Sequence, residues 1–382
     1  MSNQFNIISV ETAVDKQRFL SVPYSIYKED PFWRAPLRFE RKEQLDPEKN
    51  PGAPTNRRLF LAVSGDEVVG RIAAFTLDKH DSHHQDNTGF FGYFDCISDE
   101  AIAKELLGAA ENWLKEIGRG RMVGPSQWSV NEECGLLIDG FETPPAVMMP
   151  HGRADYQTYC EDFGLSKAVD MFAYQAELSA GYPRSKFLQS LLSYAERNKS
   201  IHWRHLDKIK FRAEVDLVMD IFNDAWSENW GFLPFSDDQI EHMAKEIKPL
   251  IFEKGLWVGY IDDEPAAYIW MIPDLNELTQ GLDGKLLPFG WAQLVWRLKV
   301  SGARQARIPL MGLRKAHQNT RKGLALVAQL CEQVFEAGRE KGFTHCELSW
   351  ILEDNAGMIG ICEEASATRY KTYRMYEKKI TS

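Results

Sequence analysis

Short apolar runs bounded by polar turns mark the first half of the chain: FNIISV near the N-terminus, LFLAVSG (59–65) and VVGRIAAF (68–75). Their β-branched and aromatic content predicts strands, and Asp66 and Glu67 between the last two predict a hairpin. GFFGYFDCI (89–97) predicts another strand. The period then changes: in residues 99–118, Ile102, Leu106, Leu107, Ala110, Trp113 and Leu114 share one helical face, with Ser98 or Asp99 as cap and Gly118 as stop. RMVGPS reads as a strand, and LLIDGFETPPAVMMPHG is too punctuated by glycine and proline to be one regular element. ADYQTYCEDFG and MFAYQAEL predict a helix and a strand.

A turn and a helix fill the region around residues 179–200, after which the order recurs. HWRHL predicts a strand, VDLVMDIFNDAW and DDQIEHMAKEIKPLI predict helices, and LWVGYID with AAYIWMI predicts a hairpin about the turn at 262–265. ARIPLMGL, a helix from Leu324 to Arg339, CELSWIL and YKTYRMYEK complete the set. Leu324, Val327, Ala328, Leu330, Cys331, Val334 and Phe335 mark the buried face of that helix. The recurrence predicts two domains, 1–180 and 201–382, joined through 181–200 and related by divergent duplication.

With 44% hydrophobic and 26% charged residues, the composition is that of a globular protein. A net charge of −10 argues against a general nucleic-acid surface and requires any anion site to be local. Six scattered cysteines without a C-x-x-C pair fit reduced thiols, and the chain start lacks the n- and h-regions of a signal peptide. The sequence shows no membrane span, and the expected location is cytoplasmic. HDSHH (80–84) reads as a solvated loop and not a metal site. Glu132 and Glu133 beside Cys134 could form an acid/base pair, whereas Asp262, Asp263 and Glu264 read as turn chemistry. PFWRAPLRFERKEQLDP (31–47) reads as a segment wrapped on the first domain.

The chemistry concentrates in MGLRKAHQNTRKGLALVAQL (311–330), which passes from a strand through a basic bend into a helix. The first amides of a helix have no intrahelical partner and sit at the positive end of its dipole, so small residues there admit an anion. Gly323 and Ala325 are small, and Arg314, Lys315, Arg321 and Lys322 surround them with positive charge. The alternative is that Thr320 caps the helix and Gly323 only tolerates a bend. Neither a dinucleotide G-x-G-x-x-G nor a P-loop occurs at this turn.

T-R-K-G-L-A (320–325), CELSWILEDN and YKTYRMYEK resemble the GNAT superfamily of acyl-CoA-dependent N-acyltransferases, whose [QR]-x-x-G-x-[GA] turn holds the coenzyme diphosphate. Thr320 stands where Gln or Arg is usual. The first half resembles the same superfamily more distantly, with a glycine-free, acidic bend D-C-I-S-D-E-A in place of that turn, and GFFGYFD, GPSQWSVNEECGLLIDGF and NDAWSENWGF resemble tandem GNAT-like bacterial proteins.

The resemblance implies an α/β fold of two tandem GNAT-like domains, each a mixed, mostly antiparallel sheet flanked by helices. It implies an acyl-CoA or acetyl-CoA donor bound through Met311, Gly312, Leu313, Arg321, Lys322, Gly323, Leu324, Ala325 and Asn355. Cys362 occupies the position where many members carry the acidic tyrosine; its packing alternative is open, and Tyr370, Tyr373 and Tyr376 are further phenols. Glu228, Cys362 and Tyr373 are the expected catalytic side chains, and Trp226, Asn229 and Trp230 the expected acceptor contacts. The implied function is direct transfer to an amine of a small molecule or peptide, without a metal. The alternatives are a non-catalytic ligand-binding scaffold and a transferase using aminoacyl-tRNA or a long-chain acyl donor. Oligomeric state is not legible in the sequence.

Overall fold

A computed structural model describes residues 5–179, 181, 184–252 and 254–381. In chain order the elements are β1 (Asn6–Ser9), α1 (Ala13–Ile26), α2 (Arg38–Gln44), β2 (Arg57–Ser64), β3 (Glu67–Phe75), α3 (Asp78–His84), β4 (Thr88–Cys96), α4 (Glu100–Glu116), β5 (Arg121–Gly124), β6 (Leu136–Asp139), α5 (Asp155–Asp162) and β7 (Ser166–Glu177). They continue with α6 (Lys186–Arg197), β8 (Ile201–His205), α7 (Phe211–Trp226), α8 (Asp237–Ile247), β9 (Leu256–Ile261), β10 (Glu264–Pro273), α9 (Leu275–Thr279), α10 (Gly290–Trp296), β11 (Gln305–Leu313), α11 (Arg321–Lys341), β12 (His345–Leu352), α12 (Ala356–Glu364) and β13 (Thr368–Lys379).

These elements form two compact units that are not contiguous halves. The first takes the chain up to Met171, Thr279–Trp291 and the stretch from Lys371 onward; the second takes Phe172–Leu278 and Ala292–Tyr370. The division therefore departs from 1–180 and 201–382, because backbone pairing decides membership and the final strand finds its ladder on β5 and β6, at Tyr376↔Gly124 and Thr372↔Asp139.

In the first unit the strands run β1-β2-β3-β4-β5, followed by the Lys371 end of β13. All neighbours are antiparallel except β4 and β5, which run parallel from Thr88↔Arg121 to Phe90↔Val123. Helix α4 buries the predicted face, including Leu106, Leu107, Ala110 and Leu114. The HDSHH segment, expected as a loop, lies in α3: His80 is buried and its Nε2 sits 2.9 Å from Asp86 Oδ1, so the pattern answers to packing. The 31–47 segment is fixed within this unit, Trp128 Nε1 donating to Gln44 O at 2.8 Å.

In the second unit the order is β7 from Phe172, then β12-β11-β10-β9-β8. Again one pair is parallel, β11 with β12. Helix α11 crosses the sheet, and Leu326 seats on β9 where a Cβ at Gly259 would come within 2.5 Å of it. Leu324, expected on the buried face, is solvent-facing, since Ala325 and Leu326 take the inward positions of the first turn. Asp262 and Asp263 turn the β9–β10 hairpin with positive φ of 52° and 66°, which two-residue hairpins require.

Candidate active site

The site is built on a fork in the second unit. β11 and β12 pair from Gln305↔His345 only as far as Ile308↔Leu348, although β11 continues to Leu313 and β12 to Leu352. Pro309, directly after the last pair, has no N–H to offer a ladder. Beyond it β11 stays on β10 through Ala267↔Leu313, so the two parallel strands separate.

A buried polar cluster stands at the apex of this fork. Arg307 and Glu347 face each other in the last paired rungs, both 4% exposed, with an N···O separation of 3.6 Å. Ser349 Oγ and Tyr370 Oη both donate to Glu347, and Arg307 Nη2 donates to Ser349 O at 3.2 Å. Two residues of opposite charge removed from water must satisfy each other, and Arg307 and Glu347 do so across the β11/β12 ladder.

Helix α7 forms the wall over the fork. Trp226 Nε1 donates to Met311 O at 3.0 Å, and its ring meets Trp350 edge-on at 5.6 Å, so one side chain bridges both arms. Gly312 lies beneath: a Cβ there would stand 2.8 Å from the Tyr268 ring and 3.3 Å from Ala225. Tyr268 Oη and Asn223 Oδ1 are buried and have no hydrogen-bond partner among the described residues. Burial drives the Tyr268 phenol well above its ordinary pKa, so it remains a proton-bearing donor.

At the open end, Thr320 caps α11: its Oγ1 accepts from Gly323 N at 3.0 Å. A Cβ on Gly323 would come 2.1 Å from His317 O, so the glycine is needed for the bend to close on its own helix. The amides of Arg321 and Lys322 have no partner among the described residues and mark the positive end of the dipole. Each surrounding cation has a partner: Arg314 pairs with Asp220, Lys315 with Glu228 at 2.6 Å, and Lys322 with Asp262 at 2.8 Å, while Arg321 lies 4.3 Å from the Tyr194 ring centroid. Exposed pairs of this kind are individually weak and exchange readily for a multivalent anion.

The remaining sequence-derived residues fall in different places. Ala325 is fully buried in the core, and Asn355 caps α12 by accepting from Met358 N at 3.1 Å. Cys362 is also fully buried, and burial pushes its thiol up to about 12. Tyr373 lies in the first unit, its Cα opposite Leu137. Asn229 and Trp230 follow the end of α7, with Asn229 N donating to Trp226 O at 2.8 Å. Arg307, Glu347, Ser349 and Tyr268 were missed by sequence reasoning, because single polar residues in an apolar strand give no spacing signal.

The first unit repeats the geometry in a closed form. After Phe90↔Val123 the strands are held by Ser126 N donating to Phe91 O at 3.0 Å, and a Cβ on Gly92 would lie 1.6 Å from Ser126 O. Its helix α4 is capped by Asp99, which accepts from Ala101 N at 2.9 Å and Ile102 N at 3.4 Å and so places a carboxylate where an anion would bind. Nearby, Glu133 pairs with Arg41, whereas Glu132 accepts from Gln44 Nε2 at 2.7 Å. Burial raises the Glu132 carboxyl to about 7, with the neighbouring Glu133 adding to the effect. Among the described residues, no group of three or more His, Cys, Asp or Glu side chains could hold a metal ion.

Comparison with known proteins gives the context for these two units. No protein-family model matches the chain. A bacterial ceramide synthase of Caulobacter vibrioides is 38% identical over 381 residues, 98% of this chain and 97% of that one. Protein YghO of Escherichia coli is 38% identical over 367 residues, 96% and 93% of the two chains. A tandem GNAT protein from the clavulanic acid biosynthesis pathway superposes with a TM-score of 0.57 at 12% identity, covering 99% of both chains. The chain belongs to the same family as the bacterial ceramide synthase and YghO, and it has the GNAT fold. A GCN5-related N-acetyltransferase from Sphaerobacter thermophilus shares the fold of this chain with a TM-score of 0.54 at 11% identity, over 99% and 96% of the chains. The mixed sheet with flanking helices is thus that of the GNAT fold, and the chain is related to an acyltransferase.

Proposed function

We propose that the second unit is an N-acyltransferase that moves a long acyl chain from a coenzyme A thioester to a primary amine of a long-chain lipid base. The observation that carries the reading is the β11/β12 fork with the buried Arg307–Glu347 pair at its apex, bonded by the half-buried Tyr370, and a cationic helix start at its mouth. Identity of 38% to a ceramide synthase across nearly both full chains supports a lipid amine and a long-chain donor over an acetyl group and a peptide.

The residues present fit a diphosphate at the α11 start: Arg321 and Lys322 supply amides, and Arg314, Lys315 and Lys322 supply charge once their carboxylate partners give way. Gly323 contributes the shape of the bend, since its own N–H is held by Thr320. Along β11, Trp226 Nε1 and Gln318 Nε2 each donate at 3.0 Å to the carbonyls of Met311 and Leu313, so in this reading the thioester arm meets a strand edge whose carbonyls are already held. The coenzyme supplies an activated acyl group and a thiolate leaving group.

Amide formation requires a neutral nitrogen, a proton accepted from that nitrogen and a proton delivered to sulfur. Tyr370, held by Glu347, is the proton donor in this reading, and the buried Tyr268 hydroxyl is a second donor toward the fork. Glu228 is the acceptor advanced from sequence; it must first release Lys315. Cys362, enclosed in the core, supports packing more than proton transfer. Trp226 and Trp350 form the apolar wall for the acceptor chain.

The test of the donor site is calorimetry with hexadecanoyl-CoA and acetyl-CoA. Wild type binds the long-chain thioester, and Gly323→Glu loses it. Equal binding by Gly323→Glu removes the diphosphate assignment.

A further inference from the structure

The antiparallel neighbours β10 and β11 are joined by residues 274–304, whereas the corresponding strands β3 and β4 are joined by 76–87. The longer connection begins with buried anchors at Leu278 and Leu282, then turns its apolar side chains outward. Leu287 and Phe289 are 80% and 79% exposed, and Trp291, Trp296, Leu298 and Val300 follow in the same exposed stretch. Large apolar side chains concentrated in one short surface segment cost free energy in water unless something covers them.

Charge identifies the cover. From Lys285 to Ser301 the segment carries three cations, Lys285, Arg297 and Lys299, and no acid, in a chain whose net charge is −10; Arg297 also donates to Leu278 O at 2.7 Å. Such a segment repels a second copy of itself across a two-fold axis, where like would face like. Tryptophan and long aliphatic side chains interleaved with Lys and Arg are instead the composition of an element lying in a bilayer interface, rings at headgroup level and cations on lipid phosphates. No described helix is long and apolar enough to cross a membrane, so the segment is suited to lie on the bilayer.

We infer that residues 285–301 form an interfacial anchor that docks the protein on an anionic lipid bilayer, with Leu287, Phe289, Trp291 and Trp296 entering the acyl boundary. This stands on the segment itself and not on the proposed reaction; together they describe an enzyme that meets its lipid substrates in the membrane.

The experiment is flotation of the full chain with vesicles of phosphatidylcholine alone and of equal parts phosphatidylcholine and phosphatidylglycerol. The wild-type protein floats with the anionic vesicles, and added salt weakens the association. Trp291→Ser/Trp296→Ser lowers partitioning about tenfold or more. Lys285→Glu/Lys299→Glu lowers it on anionic vesicles and leaves the weak binding to neutral ones. Because these side chains are exposed, the variants keep the wild-type melting temperature, which is measured alongside. Failure of the wild type to float, or equal flotation of the tryptophan variant, overturns the proposal. So does a wild-type dimer by light scattering that the variant abolishes, since the face would then be covered by a second copy. The readout is binding, so it stands whether or not acyl transfer is detected.

Discussion

Gly323 and His317 are in such close approach that a Cβ on the glycine would stand 2.1 Å from the histidine's carbonyl oxygen. The small residue that a phosphate-binding motif demands is here demanded first by the protein's own backbone, which must fold over the helix start to aim the amides of Arg321 and Lys322 outward. Gly323→Ala forces that loop to shift, at a cost of about 1–3 kcal/mol. The expected result is a lower melting temperature together with weaker binding of hexadecanoyl-CoA. Unchanged stability would show that the loop has room.

Tyr370 donates to Glu347, which also faces Arg307. Tyr370→Phe removes the hydroxyl and leaves the ion pair in place, so kcat is expected to fall by about 10²–10⁴ with little change in melting temperature. Glu347→Ala strands Arg307 in the interior and is expected to cost about 3–5 kcal/mol of stability. The two variants separate proton delivery from structure.

Trp226 touches both arms of the fork, through Met311 O and the Trp350 ring. Trp226→Phe keeps an aromatic wall and gives up one hydrogen bond worth about 0.5–1.5 kcal/mol. A rise in KM for a long-chain amine exceeding any fall in kcat is expected from steady-state kinetics.

Glu132 predicts a pH signature in the first unit. Burial lifts its carboxyl from 4.5 to about 7, so the folded state holds this proton more tightly than the unfolded state does. Its favourable contribution is complete below the unfolded value and is lost as pH rises through about 7. Glu132→Gln does not titrate and can still accept from Gln44. Urea midpoints should therefore move in favour of the variant between pH 4.5 and about 7, by at most roughly 3 kcal/mol, and run parallel above that range. Parallel profiles throughout would show that the carboxyl is not perturbed.

The strands and the longer helices were legible because their apolar spacing is regular: α4 buries the residues its period selects. The bend before α11 was legible as a small, cationic helix start: Thr320 is its cap, and the amides of Arg321 and Lys322 have no partner among the described residues. Exchange of the final strand was not legible, because β13 pairs with β5 and β6 by register, a relation between residues more than two hundred positions apart. The polar cluster was hidden for a different reason. Arg307 and Glu347 each read as an isolated charge in an apolar strand, and only parallel pairing makes them partners. The 285–301 segment carried a signal in WAQLVWRLKV, apolar and basic without an acid, but whether such a helix is buried or exposed is decided by tertiary packing.

Incubation of the full chain with hexadecanoyl-CoA and a long-chain aminodiol, followed by mass spectrometry of the lipid extract, tests the central claim most directly. The account predicts an N-hexadecanoyl amide formed in step with free coenzyme thiol, strongly reduced in Tyr370→Phe. Thioester that binds but yields no amide with any long-chain amine, or amide formation undiminished in Tyr370→Phe and Gly323→Glu alike, would contradict it.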